Sequence, residues 1–373
     1  MIDNFYERLN NRHQLAQQWR TEGRKIIGYI CNYTPEEIIY ASRAIPVRIM
    51  SDQTPPSIAD GHFQSFYCAF SRSCLDQALR GEYDYLDGLV YAYACDHQRG
   101  IFNIWARNKP DLYVELIDMP SRIDLPEAKR FYTQELRKFQ ASLQKALKVT
   151  ITDEALWKAI EIYDTHRSLL RRLYELRSRI PSPIWGWQVL TVLLAGMVMP
   201  KEEHNNLLRQ LLQELEESNL SYAPRSPNGQ IRLMIVGSEV DNPRVYQLIE
   251  EAGAIIVADD ICNGSRYIWE DTPRGEDPME SIAQRYLNKV PCPVKHPPQR
   301  RYNHILELAE HLRVQGIIIL HQKFCDPHEW EYPYLNKLFK EKGLISMVLE
   351  IDPNFSEEEI RTQAEALIER IGE

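Results

Sequence analysis

Seven cysteines are the residues of this chain best suited to chemistry: Cys31, Cys68, Cys74, Cys95, Cys262, Cys292 and Cys325. A thiolate is a soft ligand, so cysteines brought together bind zinc or iron–sulfur clusters. Cysteines kept apart pack as small apolar groups. No two of the seven form a Cys-x-x-Cys pair. That removes the local signatures of zinc ribbons, thioredoxin-like redox sites and ferredoxins. An odd number of thiols in a chain of 373 residues also argues against a disulfide framework. Any metal they share must draw its ligands from distant loops.

Their positions narrow the reading. Lys25 to Ile30 is a short apolar run that reads as a buried strand, and it ends at Cys31. Gly88 to Ala94 reads likewise and ends at Cys95, while Cys325 closely follows the run Gly316 to Leu320. Cys262 follows Ile255 to Asp260 in the same way. Ligands of open parallel sheets bind just beyond the carboxyl ends of the strands. Cysteines at that edge in two domains are expected to face one cleft between them. Cys68 opens a helical stretch running to Leu79. Cys74 lies roughly 240° further round that helix and reads as a packing residue, as does Cys292.

The elements that carry these residues alternate strand with helix, which implies parallel sheets. Residues 1–24 read as an N-terminal helical segment and residues 25–125 as a first α/β domain, with further strands at Val47–Met50 and Leu112–Ile117. Thr34-Pro35-Glu36-Glu37 reads as a capping box opening a helix to about Arg43, with Thr34 as the cap. Residues 126–225 read as a helical region and linker. Helices are expected over Pro126–Leu147, from Thr152, and over Pro181–Leu220, with Ser221–Gln230 as the linker. Residues 226–373 read as a second α/β domain, with strands Ile231–Gly237, Ala254–Ala258, Gly316–Leu320 and Leu344–Ile351 and a final helix capped by Ser356. The fold class is α/β: two Rossmann-like or flavodoxin-like parallel-sheet domains with a helical connecting region. No repeat is visible residue by residue, although the halves can still be structurally similar.

Composition excludes several functions. The net charge of −9 is spread along the chain, which argues against a nucleic-acid-binding face. The N-terminus lacks a basic-then-apolar leader, and the longest apolar stretch, Ile184 to Pro200, is too short to span a bilayer. A cytoplasmic protein without membrane or nucleic-acid partners is expected.

The sequence around the cysteines resembles the 2-hydroxyacyl-CoA dehydratase family, which includes the ATP-dependent benzoyl-CoA reductase subunits. The likeness rests on Gly28-Tyr29-Ile30-Cys31-Asn32-Tyr33-Thr34-Pro35-Glu36-Glu37, Tyr67-Cys68-Ala69-Phe70-Ser71-Arg72-Ser73-Cys74-Leu75, Ala94-Cys95-Asp96 and Lys323-Phe324-Cys325-Asp326-Pro327. Pro200-Lys201-Glu202-Glu203-His204 and Asp259-Asp260-Ile261-Cys262 add to it, so that the likeness covers nearly the whole chain. The resemblance implies an iron–sulfur subunit whose [4Fe–4S] cluster is held by three cysteines, Cys68, Cys95 and Cys325, leaving one iron open. Cys31 and Cys262 are second-choice ligands, because relatives with a larger double-cubane [8Fe–9S] cluster use more cysteines. A further cysteine motif of those relatives, between Cys74 and Cys95, is missing here. Gln53 is a candidate oxygen ligand to the open iron.

The resemblance also implies partners. A homologous second subunit, or a second copy of this chain, would complete the enzyme, and an ATP-dependent iron–sulfur activator would supply a low-potential electron. The substrate would be an acyl-CoA thioester, reduced to a ketyl-type radical for dehydration or aromatic-ring reduction. The stretch after Cys68 is more similar to the smaller, electron-relaying subunit. No Gly-Lys-Ser/Thr phosphate loop is present, which places ATP on the activator. Asp96 and Asp326 directly follow ligand cysteines and either tune the cluster or cap the next turn. His97, His321 and His328 flank the site as candidates for proton transfer. Arg72, Arg99 and Arg266 are basic residues that could meet CoA phosphates, although most surface arginines do not, and no such role is assigned to them. Two other readings stay open: a small-molecule reductase with a double-cubane cluster, and a non-catalytic metal- or thiol-binding protein on the same fold.

Overall fold

The computed structural model describes residues 1–217 and 231–373. Among these residues, eight strands form two parallel four-stranded sheets. The first holds β1 (Ile26–Tyr29), β2 (Ile45–Arg48), β3 (Gly88–Ala92) and β4 (Tyr113–Ile117) in the order β2-β1-β3-β4. The second holds β5 (Ile231–Gly237), β6 (Ala254–Asp260), β7 (Gly316–Gln322) and β8 (Ile345–Ile351) in the order β6-β5-β7-β8. The two orders are equivalent, so the halves share one topology that the sequence does not repeat. Both central pairs are buried along most of their length, as expected of strands covered on both faces.

The helical region between the sheets joins them. Pro126–Leu147 forms the expected helix, and Thr152 caps the next, Asp153–Arg177, by accepting from the Ala155 amide. The expectation of continuous helix over Pro181–Leu220 is corrected: helices span Gly186–Met197 and Lys201–Glu217, broken around Pro200. Proline cannot donate an amide hydrogen bond to the preceding turn, so the ladder stops there. The expected linker Ser221–Gln230 lies outside the described residues. Gly186–Met197 is buried on nearly all sides between the N-terminal helix Ile2–Asn10, the helix Pro243–Glu251 and β6. This burial explains the apolar run of the sequence, and no described helix is long and apolar enough to cross a membrane. At its start, a Cβ on Gly186 would lie 2.7 Å from the Cβ of Ile256. The buried Glu250 carboxylate closes the helix end by accepting amide hydrogen bonds from Gly186 and Trp187.

The capping box at Thr34 is also corrected. Pro35 occupies the N-cap position, and the Thr34 hydroxyl accepts from the Ala92 amide instead. Glu37 turns inward and is fully buried. Its Oε1 accepts from Arg167 Nη1 at 2.9 Å and its Oε2 from the Tyr286 hydroxyl at 2.9 Å. Burial opposes ionisation, but Arg167 and Arg285 outweigh it and hold the Glu37 carboxyl below its usual range. This contact fastens Glu36–Ala41, Asp153–Arg177 and Pro278–Asn288 to one another. Replacing Arg167 by Met leaves the Glu37 carboxylate buried without its cation. It is expected to cost about 3–5 kcal/mol in urea unfolding, with part regained on adding Glu37→Gln.

Candidate functional site

The carboxyl edges of the two sheets face each other, and the turns leaving them carry the cysteines. Cys31 follows β1 and Cys262 follows β6. Cys95 and Cys325 occupy matching places in the two halves, each as the N-cap residue of the helix after β3 or β7. Cys68 is the N-cap of Ala69–Leu79. Three thiols therefore stand at three helix N-termini, where unpaired amides and the helix dipole favour a thiolate.

Local contacts hold these turns in place. The Tyr91 hydroxyl accepts from the Ala94 and Cys95 amides at 2.9 Å each and donates to the Cys95 carbonyl at 2.8 Å. The Ala69 amide donates to the Lys323 carbonyl at 3.0 Å, which ties the Cys68 turn to the Cys325 turn across the domain boundary. Phe324, just before Cys325, has φ +63°, a left-handed conformation uncommon for a non-glycine residue.

Six of the seven cysteines line one cavity of about 60 Å³: Cys31, Cys68, Cys95, Cys262, Cys292 and Cys325. That volume admits a compact inorganic group, or a few waters. Cys74 is buried outside it, as expected of a packing residue. The neighbouring Cys325 thiol and His97 hold the Cys68 thiol well below its usual range despite burial. Burial pushes the Cys95 thiol up. Among the described residues, no three His, Cys, Asp or Glu side chains converge on a point suited to a single metal ion. The thiols instead line a shared space.

Several buried polar atoms on the cavity wall have no hydrogen-bond partner among the described residues: Ser71 Oγ, Glu239 Oε1, Gln322 Oε1 and His328 Nε2. Unpaired buried polar atoms are costly, so their gathering here marks a place for a polar or ionic group. The thiol donors and these orphaned atoms together fit an iron–sulfur cluster.

The other expected residues divide. His97 lines the cavity, packs against Tyr67 with ring centroids 4.3 Å apart, and lies 3.4 Å from Asp326 Oδ2. Burial disfavours its imidazolium, yet the neighbouring Cys68, with Asp326, holds its pKa above the ordinary value. His328 lines the cavity, whereas His321 packs edge-on to Tyr332 away from it. Asp96 accepts from the Tyr93 hydroxyl and pairs with Arg99. Gln53 lies in a neighbouring polar cleft of about 470 Å³ rather than on the cysteine cavity, and Gln322 borders both spaces. Arg266 is fully buried and so is not available to CoA phosphates. Arg72 pairs with Asp60. The sequence reading missed Cys292, Glu239 and Gln322. Cys292 sits in Pro291-Cys292-Pro293, after no strand, so only its place in an irregular rigid loop hinted at more than packing.

Iron-free protein is expected to show a pH dependence here. His97 favours its proton in the folded state. Its contribution to stability is therefore complete below pH about 6.5 and declines as pH rises through the folded value. Cys68→Ala removes the main raising influence and should move the His97 titration downward, as read by NMR of the imidazole resonances.

The family model described as 2-hydroxyglutaryl-CoA dehydratase, D-component, matches residues 31–371. The (R)-phenyllactyl-CoA dehydratase beta subunit of Clostridium sporogenes is 30% identical, over 97% of this chain and 96% of its own. A benzoyl-CoA reductase subunit of Thauera aromatica is 30% identical, over 86% of this chain and 84% of its own. The beta subunit of (R)-2-hydroxyglutaryl-CoA dehydratase from Acidaminococcus fermentans is 25% identical, over 90% of this chain and 89% of its own.

Proposed function

The chain belongs to the 2-hydroxyglutaryl-CoA dehydratase D-component family, and from that we propose that it is the iron–sulfur, electron-handling subunit of an enzyme acting on acyl-CoA thioesters. It is an enzyme subunit of the 2-hydroxyacyl-CoA dehydratase or benzoyl-CoA reductase type. The finer reading is that it receives a low-potential electron from an ATP-dependent activator and serves a thioester held with a homologous second subunit. One observation carries this reading: Cys68, Cys95 and Cys325 reach a common cavity from two halves of the chain, each from a helix N-terminus.

In this reading Cys68, Cys95 and Cys325 hold a [4Fe–4S] cluster. Bound there, the cluster supplies one-electron chemistry at low potential. The chain's own residues do the rest. The three helix ends stabilise thiolates over thiols. His97 lines the cavity with Cys68 and is braced by Asp326, so its positive charge offsets that of the Cys68 thiolate. Phe70 and Val294 line the cavity beside the thiols and exclude water. The cavity is too small for an acyl-CoA, whereas the neighbouring cleft of about 470 Å³ is in the range of small-molecule sites. Gln322 lines both spaces.

Anaerobic reconstitution with iron and sulfide tests this. At least about four irons per chain are expected, with a broad visible absorption that bleaches in air. Cys68→Ala and Cys95→Ala should lose that absorption, and Cys74→Ala should retain it. A protein that stays colourless and free of iron would sink the cluster assignment while leaving the family membership intact.

A further inference from the structure

One further residue stands beside each of the three thiols at helix N-termini. Tyr67 directly precedes Cys68, His97 lies two after Cys95, and Asp326 directly follows Cys325. The fold brings these three into a row. The Tyr67 and His97 rings have centroids 4.3 Å apart, and His97 Nε2 lies 3.4 Å from Asp326 Oδ2. The row therefore runs past all three cysteine turns, two in the first half of the chain and one in the second.

Tyr67 is the fixed member of this row. Its ring stacks on Phe63, with centroids 3.9 Å and planes 8° apart. Its hydroxyl proton is shared between the Asp96 and His97 carbonyls, 3.1 Å from each, in the first turn of the helix that Cys95 opens. The segment carrying Phe63 and Tyr67 is fastened in turn to the helix that Cys68 opens. Asp76 of that helix is buried, and its Oδ1 accepts from the Ser57, Ile58 and Ala59 amides at 2.8, 2.7 and 2.9 Å. The Phe63 amide then donates to the Ala59 carbonyl at 3.0 Å. Gly100, in the helix after Cys95, is the slot into which Tyr67 fits. A Cβ there would collide with the Tyr67 hydroxyl and lie 3.0 Å from its Cζ and 3.2 Å from Phe63 Cε1. The ring is held by Phe63, His97 and two carbonyls, so it has no free path away from such a Cβ. A helix interior otherwise favours alanine over glycine. Any apolar ring would fill this space; packing alone requires neither the hydroxyl nor the missing Cβ.

We infer that Tyr67 is a positioning residue for the iron site. Seated in the Gly100 slot, it fixes the Cys68 turn against the Cys95 turn and, through His97 and Asp326, against the Cys325 turn. The three thiols thereby keep one separation whether or not they are loaded. This rests on Cys68, Cys95 and Cys325 being the iron ligands.

The test is anaerobic reconstitution of the full chain with ferrous iron and sulfide, read by iron per folded chain, the rate of iron release to a ferrous chelator and low-temperature EPR. Tyr67→Phe keeps the ring but loses the hydroxyl bond, and is expected to release iron about threefold to tenfold faster than wild type. Gly100→Ala should release it faster still, with a changed EPR signal. Adding Tyr67→Phe to Gly100→Ala relieves the collision, so the double variant should hold iron better than Gly100→Ala alone. Should Gly100→Ala fail to fold, Tyr67→Leu reads the same property, since it removes the ring as well and should exceed Tyr67→Phe in its effect. Gly100→Ala matching wild type in release and EPR, or a double variant no better than Gly100→Ala, overturns the slot. Tyr67→Phe and Tyr67→Leu both matching wild type overturns the positioning role, while loss of iron in Cys68→Ala still upholds the cluster. If Cys68→Ala keeps all its iron, or wild type binds none, the cluster reading fails and this inference with it.

Discussion

Holding two carboxyl sheet edges face to face is the constraint on which the rest of this molecule depends. Each half presents three of the cavity's cysteines, and only the opposed edges bring all six to one space. The edges are locked by polar contacts that cross the boundary. Arg48, at the end of β2, pairs with Glu239 after β5. The Ser51 hydroxyl donates to Asp241 at 2.9 Å, and Lys289 donates to the Asn32 carbonyl. These groups are largely buried, so each is costly if its partner moves away. The opposed edges are thus held in one register rather than left to slide. The Ala69 amide and Lys323 carbonyl carry that register directly into the Cys68 and Cys325 turns.

The helical region sets the distance between the halves. Gly186–Met197 fills the space between them with apolar side chains, and Asp153–Arg177 binds the first half to Pro278–Asn288 through Arg167, Glu37 and Tyr286. Burial favours the apolar contacts, and the ion pair selects one arrangement among those that burial alone would allow. The cysteine turns then inherit a rigid frame. Sites built on the ends of strands and helices are held more tightly than sites on free loops, which suits a group whose ligands lie far apart in sequence.

Much of this was legible from the residues. Apolar runs at Ile231–Gly237 and Pro126–Leu147 placed their elements with the right bounds, because periodicity and flanking breakers are local properties. The positions of Cys31, Cys95 and Cys325 after strands were readable for the same reason. Where reading failed, a tertiary partner had overridden a local preference. Thr34 has the look of a cap, but its hydroxyl is taken by the Ala92 amide, and Glu37 is drawn inward by Arg167. Cys292 follows no strand and has no periodicity around it, so its place on the cavity wall could not be inferred from its neighbours in sequence.

The sequence by itself determined the fold class, the pairing of strands into parallel sheets and the family to which the chain belongs. These follow from hydrophobic periodicity and from motifs a few residues long. Only the tertiary structure decided that six thiols share one cavity, that Arg266 is buried rather than available to a ligand, and that Lys289 and Lys295 are buried with no ion-pair carboxylate among the described residues. Those facts depend on which loops meet across two sheets, and no local rule relates Cys31 to Cys262 or Tyr33 to Lys295. The burial that brings such residues together is a property of the whole chain.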